Sequence, residues 1–166
     1  TIERVFEKFK KMSEKEIDKK KIQSLLPHRE PMLLIDKLIN IVPLKSATAI
    51  MYVKKEGFYV QGHFPGQPVV PGVILVEMMA QTAAALIAYS IREETFDKIV
   101  YLMNIENTKF RKPVFPNTKI FADVNALRSK GRVWRFDGKS HDLAGNAICE
   151  ANWSAMIMDR DNEQNS

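Results

Sequence analysis

A chain of 166 residues with 45% hydrophobic content suits one domain with its own core and excludes a disordered or fibrous polypeptide. The formal net charge of +5 is mild, and residues 1–21 supply +3 of it, with eight Lys/Arg against five Asp/Glu. No interleaving of basic and aromatic residues points to nucleic acid, and the lone cysteine, Cys149, excludes an intramolecular disulfide and a cysteine-based metal centre.

Taken in chain order, Ile2, Val5, Phe6, Phe9 and Met12 fall at helical spacing. They predict an amphipathic helix and then a charged linker, as an N-terminal extension over residues 1–21. This extension reads as a surface helix, a docking arm or the remnant of a targeting segment. A domain over 22–158 follows, then a polar tail over 159–166. Within the domain, a short helix in 22–31 ends at Leu26-Pro27. Strand-like runs lie at 33–42, 47–54, 98–106, 119–128, 131–139 and 146–158, about six in all. The clearest alternations are Ile120, Ala122, Val124, Ala126 and Cys149, Ala151, Trp153, Ala155, Ile157. Residues Arg128 to Arg132 read as a hairpin turn.

Residues 73–91 differ from the rest. Glu77 is followed by no other acid or base until the end of the run, and the run lacks a polar face. Its length approaches a membrane span, but a mid-helix carboxylate is costly in lipid and no second span accompanies it. A helix that is apolar all round is otherwise buried in protein. The expected fold class is therefore α+β, a long central helix wrapped by a curved antiparallel sheet. With one cysteine and no secretory signal, a reducing, cytoplasmic compartment is expected.

The segment Gly62-His-Phe-Pro-Gly-Gln-Pro-Val-Val-Pro-Gly72, running into Glu77 and Gln81, carries the chemistry. His63 lies in a loop of small and restricted residues, where functional groups concentrate. Glu77 sits in an apolar run, and desolvation there would favour its protonated form. Alternatively it pairs with a base or water at a subunit interface. Imidazole and carboxylate are well suited to moving protons near neutral pH. Gln81, one turn on from Glu77, can hydrogen-bond to it. Pro71-Gly72 opens the helix, so the N–H groups of Gly72 and Val73 face outwards with partial positive charge. Without a Cβ, Gly72 also admits close approach of a ligand. A base, an acid and an oxyanion site thus share one short stretch.

These residues resemble the FabZ-type 3-hydroxyacyl-(acyl-carrier-protein) dehydratases of the hot-dog fold. The signature is similar at Gly62-His-Phe-Pro65-Gly66, Pro68, Pro71-Gly72, Glu77 and Ala80-Gln81, with Phe64 and Pro71 supporting the site. Two further blocks are similar: Leu26-Pro-His-Arg29 with Pro31 to Asp36, and Lys109-Phe-Arg-Lys-Pro113 with Pro116. Asn117-Thr118 stands where the family usually has Gly-Asp. The resemblance implies that His63 and Glu77 form a catalytic dyad from opposite subunits of a dimer, in a hexamer of three dimers. It implies no metal and no redox cofactor, and a (3R)-hydroxyacyl thioester substrate on an acidic acyl carrier protein. For that carrier, Lys109, Arg111 and Lys112, and Arg128, Lys130 and Arg132, are the candidate docking cations. Phe64, Met32, Met78, Met79, Phe110 and Phe115 are candidates for an acyl tunnel. The rival functions are a hot-dog thioesterase, using the helix carboxylate to activate water, and a non-catalytic acyl-binding module.

Overall fold

A computed structural model describes residues 16–91 and 98–160; the amphipathic helix expected on Ile2 to Met12 of the 1–21 extension and the end of the polar tail lie outside them. The elements run β1 (Glu16–Asp18), α1 (Lys19–Leu25), β2 (Lys37–Val42), β3 (Ser46–Val53), a 3-10 turn (Phe58–Val60), α2 (Gly72–Ile91), β4 (Lys98–Phe110), β5 (Thr118–Lys130), β6 (Val133–Asp142) and β7 (Ala147–Asp159). All strands join one antiparallel sheet in the order β1-β2-β3-β5-β6-β7-β4. This is the hot-dog arrangement.

The sheet has seven strands rather than about six. The additional one, β1, lies where a charged linker was expected: Ile17 pairs with Leu38 and is 3% exposed. Three residues are too few for alternation to show. Asp18 then caps α1 by accepting a hydrogen bond from the Lys21 N–H at 2.9 Å, and Ile22 and Leu25 turn into the core.

The long strands follow their alternation. Ile120, Ala122 and Val124 of β5, and Cys149, Ala151, Trp153 and Ala155 of β7, point onto α2. The helix buries residues around most of its circumference, with Ala83, Ala84 and Ala85 letting the sheet approach closely. It has the length and composition of a membrane span, but most of it is covered by this sheet. Cys149 is buried too, and burial pushes its thiol up to about 11, so it is a packing residue rather than a nucleophile.

The two ends of α2 are fixed differently. At its start, the Val70 N–H bonds the Val114 carbonyl at 2.9 Å, and the Asn117 N–H bonds the Val53 carbonyl at 2.7 Å. Asn117 adopts φ 61°, a left-handed turn that glycine favours and asparagine tolerates, so the Asn-for-Gly departure keeps the turn. At its end, Ser90 Oγ accepts from the Leu44 N–H at 2.8 Å, and the Ala126 N–H bonds the Lys45 carbonyl at 2.8 Å. The β5–β6 hairpin lies beyond that second end.

Candidate active site

The loop before α2 folds on its own backbone. The His63 N–H bonds the Val60 carbonyl at 3.2 Å, and the His63 carbonyl accepts from the Val69 N–H at 2.8 Å. Phe64 and Gln67 exchange two bonds of 3.0 Å around the Pro65-Gly66 turn. The His63 ring stacks on Phe64 with centroids 4.2 Å apart, and its Nδ1 lies 2.7 Å from the Val69 carbonyl. A carbonyl can only accept, so Nδ1 carries the proton and Nε2 holds the lone pair. In the neutral ring this leaves Nε2 as the nitrogen that can accept a proton.

His63 lines a cleft of about 490 Å³ with Pro71, Gly72, Val73, Phe110 and Lys112. The Ile74 N–H turns back to the Pro71 carbonyl at 3.0 Å, and the N–H groups of Gly72 and Val73 precede it at the helix mouth. The glycine is needed for packing as well. A Cβ at 72 would lie 2.7 Å from the Phe110 ring, which covers this turn of helix.

Glu77 occupies a different cavity. Its Oε1 accepts from Gln81 Nε2 at 3.0 Å. The Gln81 amide, 1% exposed, is fully used: its second N–H bonds the Met32 carbonyl at 2.7 Å, and its oxygen accepts from the Leu34 N–H at 2.9 Å. Gln81 thus ties α2 to the chain entering β2 and holds Glu77 in place. The carboxylate keeps 27% of its side-chain surface, so in the isolated chain it is less buried than the apolar run around it suggests. The helix face that carries it, with Val73 one turn earlier at 71% exposure, is uncovered at its N-terminal half.

His28 has no carboxylate beside it on an adjoining apolar helix in the sequence, yet in the fold its Nε2 lies 3.8 Å from Glu77 Oε1. The contact joins residues far apart in sequence and leaves no local signal, although the Leu26-Pro-His-Arg29 block pointed at the segment.

The Glu77 cavity continues as a narrow seam of about 40 Å³ between α2 and the sheet. Ala80, Ala83, Ala84 and Ile87 form the helix side; Trp134, Phe136, Trp153 and Ile157 form much of the sheet side. None of the six residues expected to line a tunnel lines this seam. Met78 and Met79 are sealed in the core, Phe110 lines the His63 cleft, and Met32, Phe64 and Phe115 are exposed. The seam residues resemble ordinary core in sequence. Among the described residues none lines both cavities.

The basic residues divide. Lys109, at the end of β4, and Arg111 and Lys112, just after it, all have acidic neighbours. Arg111 bonds Glu150 at 2.9 Å, Lys112 bonds Asp142 at 2.5 Å, and Lys109 stands 4.0 Å from Glu150. Arg128, Lys130 and Arg132 belong to the β5–β6 hairpin, at the opposite end of the same chain. Among the described residues no group of His, Cys, Asp and Glu could hold a metal ion.

A family model for the FabA-like domain matches residues 26–152. A 3-hydroxyacyl-(acyl-carrier-protein) dehydratase FabZ of Acidiphilium cryptum (strain JF-5) is 43% identical over 139 residues, covering 84% of each chain. The protein of that name from Gluconobacter oxydans (strain 621H) is 46% identical over 142 residues, covering 86% of this chain and 83% of the other. Among solved structures, the dehydratase heterocomplex ApeI:P from Xenorhabdus doucetiae aligns with a TM-score of 0.73 at 17% identity, over 84% of this chain and 91% of that one. Cj0977, a sigma28-regulated virulence protein from Campylobacter jejuni, aligns at 0.63 and 15% identity, over 84% and 89%. At those identities the structural likeness concerns the fold alone.

Proposed function

The chain belongs to the FabA-like family as a FabZ-type 3-hydroxyacyl-(acyl-carrier-protein) dehydratase, and from that premise we propose how its residues divide the work. The reaction removes water from a (3R)-hydroxyacyl thioester to give a trans-2-enoyl thioester, a step of fatty acid biosynthesis. His63 Nε2 takes the C2 proton. The Gly72 N–H, with that of Val73 beside it, receives the charge that develops on the thioester oxygen. Glu77, contributed by a second subunit, gives a proton to the C3 hydroxyl as it leaves. The acyl chain follows the seam lined by Ala80, Ala84 and Trp134, and the pantetheine arm lies in the His63 cleft near Lys109, Arg111 and Lys112.

The observation that carries this reading is the 2.7 Å contact from His63 Nδ1 to the Val69 carbonyl, which in the neutral ring leaves Nε2 as the acceptor, in a cleft that Gly72 also lines. The separation of His63 and Glu77 into cavities with no shared lining supports a dyad completed by another copy. So does the β4 edge, which presents Tyr101, Leu102, Met103 and Ile105 at 40–51% exposure. A dimer pairing its β4 edges would cover them, and three such dimers would form a hexamer working in the cytoplasm.

The test uses a short 3-hydroxyacyl carrier thioester, with enoyl absorbance and free thiol followed together. Enoyl absorbance rises without thiol for a dehydratase. Thiol release without enoyl formation identifies a thioesterase, and neither signal identifies a binding module.

A further inference from the structure

His28 has no part in the dyad, yet it is the side chain that faces Glu77 from within the same protomer. It stands in the segment between α1 and β2, with its Nε2 3.8 Å from Glu77 Oε1. Gln81 Nε2 bonds the same oxygen. Both nitrogens therefore address Oε1, and neither is recorded on Oε2. We infer that His28 is a positioning residue for Glu77: with Gln81 it directs an N–H at Oε1 and so assigns Oε2 to the proton exchange with substrate. The inference rests on the reading of Glu77 as the acid.

The tautomer follows from the surroundings. His28 Nδ1 is buried with no hydrogen-bond partner among the described residues. A proton there would be a buried donor with nothing to bond, which is costlier than an unused lone pair. A proton on Nε2 instead faces a carboxylate. Burial is the main influence on this ring and favours its neutral form; Arg29 acts in the same direction and Glu77 against it. A neutral Nε2–H is therefore a directed donor rather than a second cation in the site. At 3.8 Å the contact is longer than a hydrogen bond, and such contacts commonly shorten when substrate fills a site.

The division suits the chemistry. In the acid form of Glu77 the hydrogen sits on Oε2, and Oε1 is the carbonyl-like oxygen that accepts from both nitrogens. As the C3–O bond breaks, the Oε2 proton passes to the departing oxygen, which leaves as water, and Glu77 becomes a carboxylate. His63 then holds the C2 proton. Return of one proton to Glu77 and loss of one from His63 restores both groups. Donors fixed at Oε1 favour the carboxylate as it forms and keep Oε2 turned to the substrate.

The experiment compares His28→Asn, His28→Gln, Glu77→Gln and the double variant His28→Asn/Glu77→Gln in the full chain. The Gln amide nitrogen can reach the Nε2 position, whereas that of Asn stops near Nδ1. His28→Asn is expected to lose about tenfold in kcat with KM within about twofold, and His28→Gln to recover to within about threefold of the parent. The double variant should be no slower than Glu77→Gln alone. Wild-type kcat in His28→Asn, or His28→Gln no better than His28→Asn when both melt like the parent, overturns the inference and leaves Glu77 in its role. Near-parental turnover in Glu77→Gln overturns the acid assignment and the inference with it. A measurement independent of the variants is the 15N spectrum of the histidine-labelled protein. A His28 ring protonated on Nε2 is expected, and one protonated on Nδ1 refutes the proposal.

Discussion

In the proposed mechanism His63 and Glu77 carry opposite demands. The base must keep a lone pair, and the Val69 carbonyl secures it by occupying Nδ1–H. The acid must hold a proton close to substrate, and Gln81 secures its position. Replacing either, by His63→Ala or Glu77→Gln, is expected to lower kcat by about 100-fold or more, the low end for general acid–base groups. Circular dichroism should remain that of the parent, since neither residue belongs to the buried core. Gly72 makes a different demand, for space. Gly72→Ala sets a Cβ against the Phe110 ring, and the ring must swing over the helix mouth to escape. A loss of about tenfold or more in kcat, with a melting temperature close to the parent's, is the expected result; wild-type kcat would show that Phe110 gives way without closing off the Gly72 amide. These residues were legible because they lie in one continuous stretch whose chemistry and turn residues reinforce each other. The approach of His28 to Glu77 was not, because it arises only when the segment after α1 is folded against α2.

Among the elements, the alternating strands and the apolar helix were readable, since each carries its own period. The three-residue β1 has no period, and the seam behind Glu77 is built of alanines and aromatics that serve equally well as core. The charged ends are also matters of context. Asp142 closes the β6–β7 turn by accepting from the Ala144 and Asn146 N–H groups and the Asn146 amide at 2.9–3.2 Å, while Lys112 pairs with it from across the sheet end. These contacts, the Lys112 bond foremost, hold its carboxyl well below the usual carboxylate range. A depressed folded pKa gives stability that is fully present above the unfolded value of about 4 and is lost as pH falls through the folded one. Asp142→Asn should therefore melt below the parent at pH 7, and the gap should narrow as pH drops below about 4. A gap independent of pH would assign the turn's stability to its neutral hydrogen bonds. Lys109 is the least committed of the three cations near the cleft, with its side chain 64% exposed. Lys109→Gln should raise KM for a carrier-bound substrate by about threefold at low salt, leave a short pantetheine thioester unaffected, and lose its effect as salt rises. Equal changes on both substrates would place Lys109 in the pocket instead.

At the scale of the whole molecule, the proposed mechanism leaves the single chain chemically unfinished. His63 and Glu77 open into separate cavities, the helix face bearing Val73 and Glu77 is uncovered, and β4 ends the sheet with apolar side chains exposed. Such an edge is an aggregation hazard unless another chain covers it. A two-fold pairing of β4 edges would answer all three features together. The arrangement makes a prediction that no single-chain site can meet. In a mixed dimer of His63→Ala and Glu77→Gln protomers, one site combines both substitutions while the other combines the intact Glu77 with the intact His63. Random association puts half of the dimers in the mixed form, each with one working site of two, so about a quarter of the parental turnover should return. Co-expression followed by purification through two different tags would enrich the mixed form and bring the recovery towards about half. If the dyad lay within one chain, every protomer in either mixture would lack one member of it, and activity would stay at the level of the separate variants.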